Sequence, residues 1–503
     1  MNRSNGHPHD RSIVDGSAGS DFLQLDIGEA PFGGRADWLA GRLRRAISDG
    51  RLPLGSRLPA TRVLAAELRV SRGVVTEAYQ RLSEDGHVAG RGRNGTVVVA
   101  APVEAGRSAG AGPGNEAGIG GLFTVPPGDD IFDLIRSAPA RIDLSPGVPD
   151  LTAFPRAAWL RAEREVLGGL AASGFGYGDP RGTPELRRAV AHWLARNRGI
   201  RAEPDEVIVV AGTAQALALL GQVLRADGVE EIAVEDPGSL GVRQHLRRQG
   251  LRTPPVSVDA EGVRVDELGS HGAVLLTPAH QFPTGVVLGG ARRRALMRWA
   301  GDGGLVVEDD YDAEHRYDRP PVPALRSMLP ERVCYAGSVS KLLAPALRTG
   351  WVLVPARHRD ALVDAKRFAD LGNAALPQLV LARLMDSGEL ERHLRLLRRR
   401  HRRRRDVMIA AIRDRLPGAV VHGAAAGLHL LVTFEGPEPG EAGPLSDTDL
   451  AAAALARGVK AHPLSWHRQR PGPPGLLLGY AASPASVIAD GVAAIGDALD
   501  DVR

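Results

Sequence analysis

The chain has 503 residues, 43% of them hydrophobic, and a formal net charge of +4 at pH 7. This length predicts two or three domains, and the hydrophobic fraction excludes a chain that is disordered throughout. No apolar run approaches the roughly 20 residues that cross a bilayer, and the N-terminus lacks the apolar stretch of a signal peptide. With the single cysteine, Cys334, these features predict a cytoplasmic protein with no membrane partner.

Positive charge and lysine are both unevenly distributed. Residues 36–99 hold eleven arginines and six acidic residues, a net charge of +5, which leaves the rest of the chain close to neutral. This basic excess predicts an anionic partner for the segment. Lysine occurs three times, as Lys341, Lys366 and Lys460, against 60 arginines. A lysine kept in so arginine-rich a chain is a candidate for amine chemistry, which arginine cannot perform.

Composition divides the chain into four ranges. Residues 1–21 are polar and rich in Gly and Ser, which predicts a disordered tail. Residues 22–100 are expected to form a small basic domain. Residues 101–135 are rich in Gly, Ala and Pro and predict a flexible linker. Residues 136–503 form a long second domain.

The small domain carries the pattern of a winged helix-turn-helix. Apolar residues at helical spacing predict a first helix around Trp38, a second that has Thr61 as its N-cap and Val63 on its buried face, and a third capped by Ser71. Two short strands, 87–89 and 96–99, flank an Asn-Gly hairpin signal. We expect the third helix to enter a major groove and the hairpin tip a minor groove. The groups placed to contact DNA are Arg72, Gly73, Thr76, Gln80, Arg91 and Arg93.

The run GRLPLGSRLPATRVLAAELRVSRGVVTEAYQRLSEDGHVAGRGRNGTVVV closely resembles the GntR family of bacterial regulators. Ala60 stands where that family usually has a serine, so the resemblance predicts one phosphate contact fewer. The alternative for this domain is a three-helix protein-interaction module with solvated arginines. Operator contacts are implied by the resemblance for Arg62, Ser71, Arg72, Thr76 and Arg93.

The long domain alternates short apolar strands with amphipathic helices such as 183–196 and 214–224. This alternation predicts an α/β fold with a mostly parallel sheet. The predicted strands are 207–210, 231–234, 273–276, 305–307, 333–336 and 351–354. Ligands of such sheets bind at the carboxyl ends of the strands, and the polar motifs of this domain fall there.

These strand ends carry the groups that pyridoxal phosphate needs from a protein. Lys341 can bind the aldehyde, Asp309 can pair with the ring nitrogen, Tyr311 can reach the 3-oxygen, and Arg348 can pair with the phosphate. Each motif alone also fits an ordinary surface or turn position, and their agreement favours a cofactor. The remaining phosphate donors are predicted from Ser338, Ser340, Gly212, Thr213, Ala214 and Gln215.

Residues 142–500 resemble the fold-type I, class I/II aminotransferases, and with the GntR-like domain in front the chain resembles the MocR subfamily of regulators. The resemblance implies a large mostly parallel sheet domain with a smaller C-terminal α+β part. It implies Lys341 as the lysine that bears the cofactor, Tyr177 as a contact to the neighbouring subunit's phosphate, and His280 and Gln281 as borders of the ring. The matching runs are DLSPGVPDLTAFPRAAW, YGDPRGTPELR, VAGTAQAL, TPAHQFPTG, VEDDYDAEHRY, GSVSKLLAPALRTGW and LLLGYAA.

Two positions depart from the aminotransferase pattern. Ser239 stands where the family usually has an aromatic residue that stacks on the cofactor. The run 473–479 lacks the arginine that binds a substrate carboxylate near Leu477, although Arg468 and Arg470 are close in sequence. We therefore expect sensing with residual transaminase half-reaction activity rather than sustained turnover.

Residues 392–405 hold nine arginines. A helix whose arginines are solvated or face a dimer partner fits this run, and so does a supplementary contact to the DNA backbone.

The sequence thus predicts a homodimeric transcription regulator that binds a double-stranded DNA operator with two half-sites. Its effector is expected to be pyridoxal phosphate, an amine or an amino acid. Two alternatives stay open: an aminotransferase with an appended DNA-binding module, and a DNA-binding protein whose second domain is a dimer scaffold without cofactor.

Overall fold

The computed structural model divides the chain into two compact units, Met1–Ser108 and Ala109–Arg503. The boundary falls inside the range predicted as a linker. The tail at 1–21 and the hairpin-tip residues Arg91 and Arg93 lie outside the described residues. Described are residues 25, 27–31, 34–90, 95–99, 122–123, 126–317, 321–434 and 445–503.

The first unit packs three helices and a two-stranded hairpin around one apolar core. Its elements are α1 (Arg35–Ser48), α2 (Thr61–Glu67), α3 (Arg72–Glu84), β1 (Val88–Gly90) and β2 (Thr96–Val98). Leu39 and Leu43 of α1 pack with Leu64 of α2 and with Val75 and Leu82 of α3. The antiparallel pairing of β1 with β2 completes the predicted winged helix.

Two details of α2 differ from the sequence prediction. Ala60 occupies the N-cap, so Thr61 is the first helical residue rather than the cap. Val63 is 44% exposed, whereas Leu64 and Ala65 are buried. The reason is the shortness of α2, which at seven residues buries only a narrow stripe. Ser71 does occupy the N-cap position of α3.

The second unit is built on an eight-stranded sheet. The strands up to residue 353 are β3 (Ile142–Asp143), β4 (Ile208–Val210), β5 (Ala233–Asp236), β6 (Pro255–Asp259), β7 (Gly262–Val263), β8 (Ala273–Leu276), β9 (Leu305–Asp310), β10 (Val333–Ser338) and β11 (Gly350–Leu353). The sheet order is β4-β11-β10-β9-β8-β5-β6-β7. All pairs from β10 to β6 are parallel, whereas β11 and β7 run antiparallel to their neighbours. The prediction of a mostly parallel sheet is confirmed.

Helices cover both faces of this sheet, as its burial pattern requires. Alternate residues of β4 belong to different clusters: Val209 packs with Trp193 and Leu194 on one face, and Ile208 packs with Leu217 and Leu220 on the other. The helices of the whole second unit within the described residues are α4 (Ile131–Ser137), α5 (Arg156–Gly169), α6 (Pro184–Arg198), α7 (Thr213–Ala226), α8 (Leu240–Arg248), α9 (Gly290–Gly301), α10 (Ala356–Asp370), α11 (Ala375–Asp386), α12 (Glu389–Arg415), α13 (Asp447–Ala456) and α14 (Ala485–Val502). The first of these, α4, begins inside the range predicted as a linker.

A smaller α+β part forms the C-terminal portion. Its strands are β12 (Ala419–His422), β13 (His429–Phe434), β14 (Val459–Lys460), β15 (His462–Pro463) and β16 (Gly475–Gly479). Four of them form an antiparallel sheet in the order β12-β13-β16-β15, and β14 pairs with β3. Helices α12 and α14 pack on this part through Met408, Ile412, Val492 and Ile495.

The arginine run lies on α12. The buried side of this helix is wider than the leucine stripe visible in sequence, because His401 and Arg404 are buried along it. Arg404 donates to Asp150 Oδ2 at 2.9 Å, so part of the run is structural. Arg395 and Arg399 are exposed. Among the described residues, no helix has the length and hydropathy to cross a membrane.

Candidate cofactor site and DNA-reading surface

The large sheet brings the predicted cofactor groups to one edge. The parallel strands β9 and β10 end there, and the antiparallel β11 begins there, since Ser338 of β10 pairs with Gly350 of β11. Asp309 lies near the end of β9, and Lys341 and Arg348 lie in the segment between β10 and β11, so all three are placed at this edge. The carboxyl end of β4 reaches the same edge through its pairing with β11.

Lys341 follows β10, and its Nζ donates to the carbonyl oxygen of Gly147. Gly147 has a φ of 75°, and an added Cβ there would lie 3.2 Å from Nζ. Burial lowers the pKa of Lys341, and the carboxylates of Asp312 and Asp309 oppose this shift. A lowered pKa favours the neutral amine, which is the form that attacks a carbonyl. The sequence analysis did not single out Gly147, because a carbonyl acceptor has no residue-type signal.

Asp309 is a buried carboxylate near the end of β9. Burial, helped by the negative charges of Asp310 and Asp312, raises its pKa to about 7, against the opposing effect of Lys341. Its Oδ1 is buried with no hydrogen-bond partner in the described part of the chain. Such an orphaned acceptor is costly unless a donor arrives. A protonated pyridine nitrogen is a donor of this kind, so the residues fit pyridoxal phosphate.

Tyr311 is held by a buried histidine–carboxylate pair. Its hydroxyl lies 2.9 Å from His280 Nδ1, and the same nitrogen lies 3.0 Å from Asp312 Oδ2. Burial and the nearby carboxylates raise the pKa of Tyr311 well above its ordinary value, so the phenol keeps its proton and can donate it in a hydrogen bond. Asp312 was not predicted as a site residue, although it stands beside Tyr311 in a quoted motif.

The expected phosphate donors surround the start of α7. Gly212 has a φ of 79°, and a Cβ there would lie 3.5 Å from the guanidinium of Arg348. Arg348 Nη2 donates to the carbonyl of Ala211, which fixes the guanidinium over this turn. Thr213 and Ala214 open the helix, where amide groups lack intrahelical acceptors and favour an anion.

Three other predicted phosphate contacts have protein partners. Gln215 Oε1 accepts from the Ala211 amide at 2.7 Å, and its Nε2 donates to Asp370 at 2.7 Å. Ser338 Oγ accepts from the Ser340 amide at 2.9 Å. These hydrogen bonds fix the positions of residues that border the predicted phosphate site. Lys366, the second lysine of the chain, is fully buried and paired with Asp370.

The two departures from the aminotransferase pattern have structural roles. Ser239 is the N-cap of α8, where its Oγ accepts from the Val242 amide at 3.3 Å. Leu477 lies in β16 and is 0% exposed. Arg470 donates to Ser257 Oγ at 2.8 Å, which holds it against β6.

The two remaining residues predicted to contact the cofactor, Tyr177 and Gln281, differ in exposure to solvent. Tyr177 is 96% exposed in the single chain, so its side chain is available to another molecule. Gln281 is buried and holds its own turn: its Nε2 donates to the Pro237 carbonyl at 2.9 Å, and its Oε1 accepts from the Thr284 amide at 3.0 Å.

The predicted DNA contacts within the described residues lie on the surface of the first unit. Arg72 Nε donates to Thr61 Oγ1 at 3.3 Å, which ties the start of α3 to α2. Polar groups on one side of α3 suit a major groove because they can donate to base edges and phosphates. The exposed residues are Arg62, Ser71, Arg72, Gly73, Thr76 and Gln80.

Comparison with known proteins matches both units to families. Residues 140–466 match the family described as aminotransferase class I and II, and residues 36–98 match the bacterial regulatory proteins of the gntR family. The solved structure of LysN, an α-aminoadipate aminotransferase of Thermus thermophilus complexed with N-(5'-phosphopyridoxyl)-L-leucine, is similar with a TM-score of 0.66 and 27% identity. It covers 76% of this chain and 97% of that one.

Two curated relatives extend over nearly the whole chain. The probable rhizopine catabolism regulatory protein MocR of Rhizobium meliloti is 32% identical, over 91% of this chain and 92% of that protein. The pyridoxine biosynthesis transcriptional regulator PdxR of Corynebacterium glutamicum is 30% identical, over 92% and 95%. The chain therefore belongs to the MocR-type family of regulators, in which a GntR helix-turn-helix domain precedes an aminotransferase class I and II domain.

Proposed function

We propose that this chain is a transcription regulator that binds DNA through its first unit and senses pyridoxal phosphate, or an amine or amino acid, through its second. The observation that carries the proposal is that two buried groups, Lys341 and Asp309, lie at the same edge of the large sheet. Lys341 has a lowered pKa, and Asp309 holds an orphaned carboxylate oxygen. Both groups fit a cofactor that offers an aldehyde and a basic ring nitrogen.

The residues of this edge would divide the work of holding the cofactor. Pyridoxal phosphate supplies, when bound, an aldehyde carbon that accepts a primary amine. Lys341 would offer that amine, and Asp309 would keep the ring nitrogen protonated. Tyr311 would donate to the 3-oxygen. Phosphate binding falls to Arg348, Thr213 and Ala214, at the start of α7.

The buried Leu477 bears on which effector is sensed. An ordinary amino acid needs a cation for its carboxylate, and aminotransferases place an arginine near this position. Here the position is apolar and fully buried. This favours the cofactor itself as the signal, as does the name of the Corynebacterium relative, which refers to pyridoxine biosynthesis.

We further propose that the regulator is a homodimer. Two half-sites of an operator need two reading heads at a fixed spacing. The fully solvated side chain of Tyr177 supports a contact to a second subunit. Because DNA is the proposed partner, we place the protein in the cytoplasm.

The test uses the full chain as wild type, Lys341→Ala and the matched control Lys460→Ala. Visible absorbance after addition of pyridoxal phosphate measures attachment. Fluorescence anisotropy on a DNA fragment from upstream of its own coding region measures affinity, with and without cofactor and amine. We expect absorbance and a several-fold change in affinity in wild type and the control, and neither in Lys341→Ala. Operator binding that ignores cofactor and amine would refute sensing, and no absorbance in wild type would leave the scaffold interpretation.

Transamination as the main activity is the second candidate. The complete set of Lys341, Asp309, Tyr311 and Arg348 favours it, because sensing alone does not require every one of these groups. Steady turnover of an amino acid with a 2-oxo acid, lost in Lys341→Ala, would establish it. The same assay without turnover, together with effector-dependent DNA binding, would support the regulator.

A further inference from the structure

The second unit contains a cavity of about 980 Å³ that shares no residue with the proposed cofactor site. One wall comes from α8, another from the start of α13, and a third from the segment 465–474. Phe123, Pro126 and Pro127 complete the lining. In sequence these three follow the glycine-rich part of the predicted linker.

The described residues that line this cavity hold four buried nitrogen donors without an acceptor. They are Arg243 Nε, Trp466 Nε1, Arg468 Nε and Gln469 Nε2. Arg243 and Trp466 are each 3% exposed, so solvent does not compensate these groups. Burial of a donor without a partner is costly, and four donors in one lining indicate a ligand rich in acceptors.

The nearby carboxylates do not meet this need. Asp447 Oδ2 accepts from the amides of Ser465 at 3.0 Å and Gly475 at 3.2 Å. Asp236 accepts from the amides of Gln469 at 2.8 Å and Arg470 at 3.1 Å. Both side chains are engaged by the backbone, which leaves the excess of donors in place.

Arg468 is the cation best placed to receive an anion. Its guanidinium lies against Gly472, where an added Cβ would overlap it. Burial lowers the pKa of Arg468, with only partial relief from Asp236 and Asp447, so its charge is incompletely compensated. The neighbouring Arg247 is more fully engaged, because it donates to Thr253 Oγ1 at 3.2 Å and to Gln469 Oε1 at 3.2 Å.

An apolar surface adjoins these donors. The rings of Phe123 and Trp466 stack with centroids 5.3 Å apart and planes at 15°. Leu240, Pro126 and Pro127 extend this surface within the same cavity. A ligand that fills the cavity can therefore combine an anionic group with an apolar body.

We propose that this cavity is a second ligand site, which binds a small organic anion. Its carboxylate or phosphate accepts hydrogen bonds from Arg468 and the orphaned donors, and its apolar part lies against Phe123 and Trp466. The site goes beyond the function proposed above, because it uses none of the cofactor residues. An occupant would contact Phe123, Pro126 and Pro127, which lie in the C-terminal part of the predicted linker.

Calorimetry on the full chain loaded with pyridoxal phosphate tests the proposal. The probes are benzoate, phenyl phosphate and inorganic phosphate, which separate a carboxylate from a phosphate and an apolar body from none. We expect benzoate or phenyl phosphate to bind at one site per chain, at least tenfold tighter than inorganic phosphate. Arg468→Gln should weaken binding at least tenfold, and the exposed matched control Arg298→Gln should leave it unchanged.

Two further variants keep the result decisive. Gly472→Ala keeps every charge but displaces the Arg468 guanidinium, so it should weaken the same probe while the melting temperature is kept. Lys341→Ala should bind the probe as wild type does. The proposal is overturned if no organic probe binds wild type, if Arg468→Gln and Gly472→Ala bind as tightly as wild type, or if Lys341→Ala abolishes binding.

Discussion

Asp309 and Lys341 show how one edge of a sheet perturbs two side chains in opposite ways. Burial disfavours the charged form of each, so the pKa of the acid rises and that of the amine falls. Among the described residues, neither group has a full set of hydrogen-bond partners. A ligand that supplies a proton donor to one and a carbonyl carbon to the other would use both.

Lys341→Arg should keep the fold but abolish cofactor attachment. Arginine preserves the positive charge and most of the length, yet it stays protonated and cannot act as a nucleophile. We expect the visible absorbance of bound pyridoxal phosphate to vanish, with a melting temperature within a few degrees of wild type. Lys460→Arg is the matched control and should retain the absorbance. Absorbance retained in Lys341→Arg would show that another group binds the cofactor.

The raised pKa of Asp309 predicts a pH-dependent stability in the protein without cofactor. An acid whose pKa is raised by folding contributes stability fully below its ordinary pKa, here 3.8, and loses it as pH rises through about 7. Asp309→Asn does not titrate. Urea unfolding should therefore show wild type losing stability relative to the variant between pH 4 and pH 7, by on the order of 1 kcal/mol per pH unit. Parallel curves for the two proteins would contradict the assignment.

At the scale of elements, helix α12 combines an apolar interior face with buried polar groups. Arg404 reaches Asp150, whereas both ring nitrogens of His401 are buried without a hydrogen-bond partner in the described residues. The ring of His315 lies 5.0 Å from that of His401. Burial and the nearby cations lower the pKa of His401 well below 6.5, so the imidazole is neutral in the fold.

His401→Leu should stabilise the protein, most of all in acid. A histidine whose pKa is lowered by folding contributes stability above its ordinary pKa of 6.5 and loses it as pH falls. Leucine removes that loss and the two orphaned nitrogens, a gain of about 1 kcal/mol at pH 8 that grows toward pH 5. Denaturant unfolding at both pH values measures the difference. The exposed His192→Leu is the control, and an equal effect of both substitutions would refute the role of burial.

At the scale of the whole molecule, the sequence leaves two roles open for the arginine run of α12: a helix whose arginines are solvated or face a dimer partner, and a supplementary contact to the DNA backbone. Its inward residues serve the core, as Arg404 does, so we expect the outward ones to be solvated or to face a partner subunit. Arg395→Gln, Arg399→Gln and Arg402→Gln combined should then leave the salt dependence of DNA affinity unchanged. Arg62→Gln, in the first unit, should reduce the slope of log affinity against log salt by about 0.9. A comparable reduction in the triple variant would establish the supplementary contact.

Much of the architecture could be predicted from sequence because its signals are local. The spacing of Leu39, Leu43 and Val75, and the Asn-Gly hairpin signal, predict helices and a wing within short windows. For the short helix α2 of the first unit, the sequence predicts Thr61 as the cap and Val63 on the buried face, and both details are wrong. Only the packing of a seven-residue helix decides which residue begins it and which side it buries.

The candidate site likewise has features that follow from local sequence and features that depend on tertiary packing. Sequence alone predicted its chemistry: Lys341 is one of three lysines, and Asp309, Tyr311 and Arg348 stand at or near strand ends in a recognisable order. Tertiary structure alone decided their partners, such as the Gly147 carbonyl, which lies 194 positions from Lys341 in the chain. The tertiary structure also forms the second cavity, whose lining includes the stacked rings of Phe123 and Trp466. The amino-acid sequence specifies residue types and the local spacing of apolar residues. Burial and hydrogen bonding depend instead on which distant segments the fold packs together.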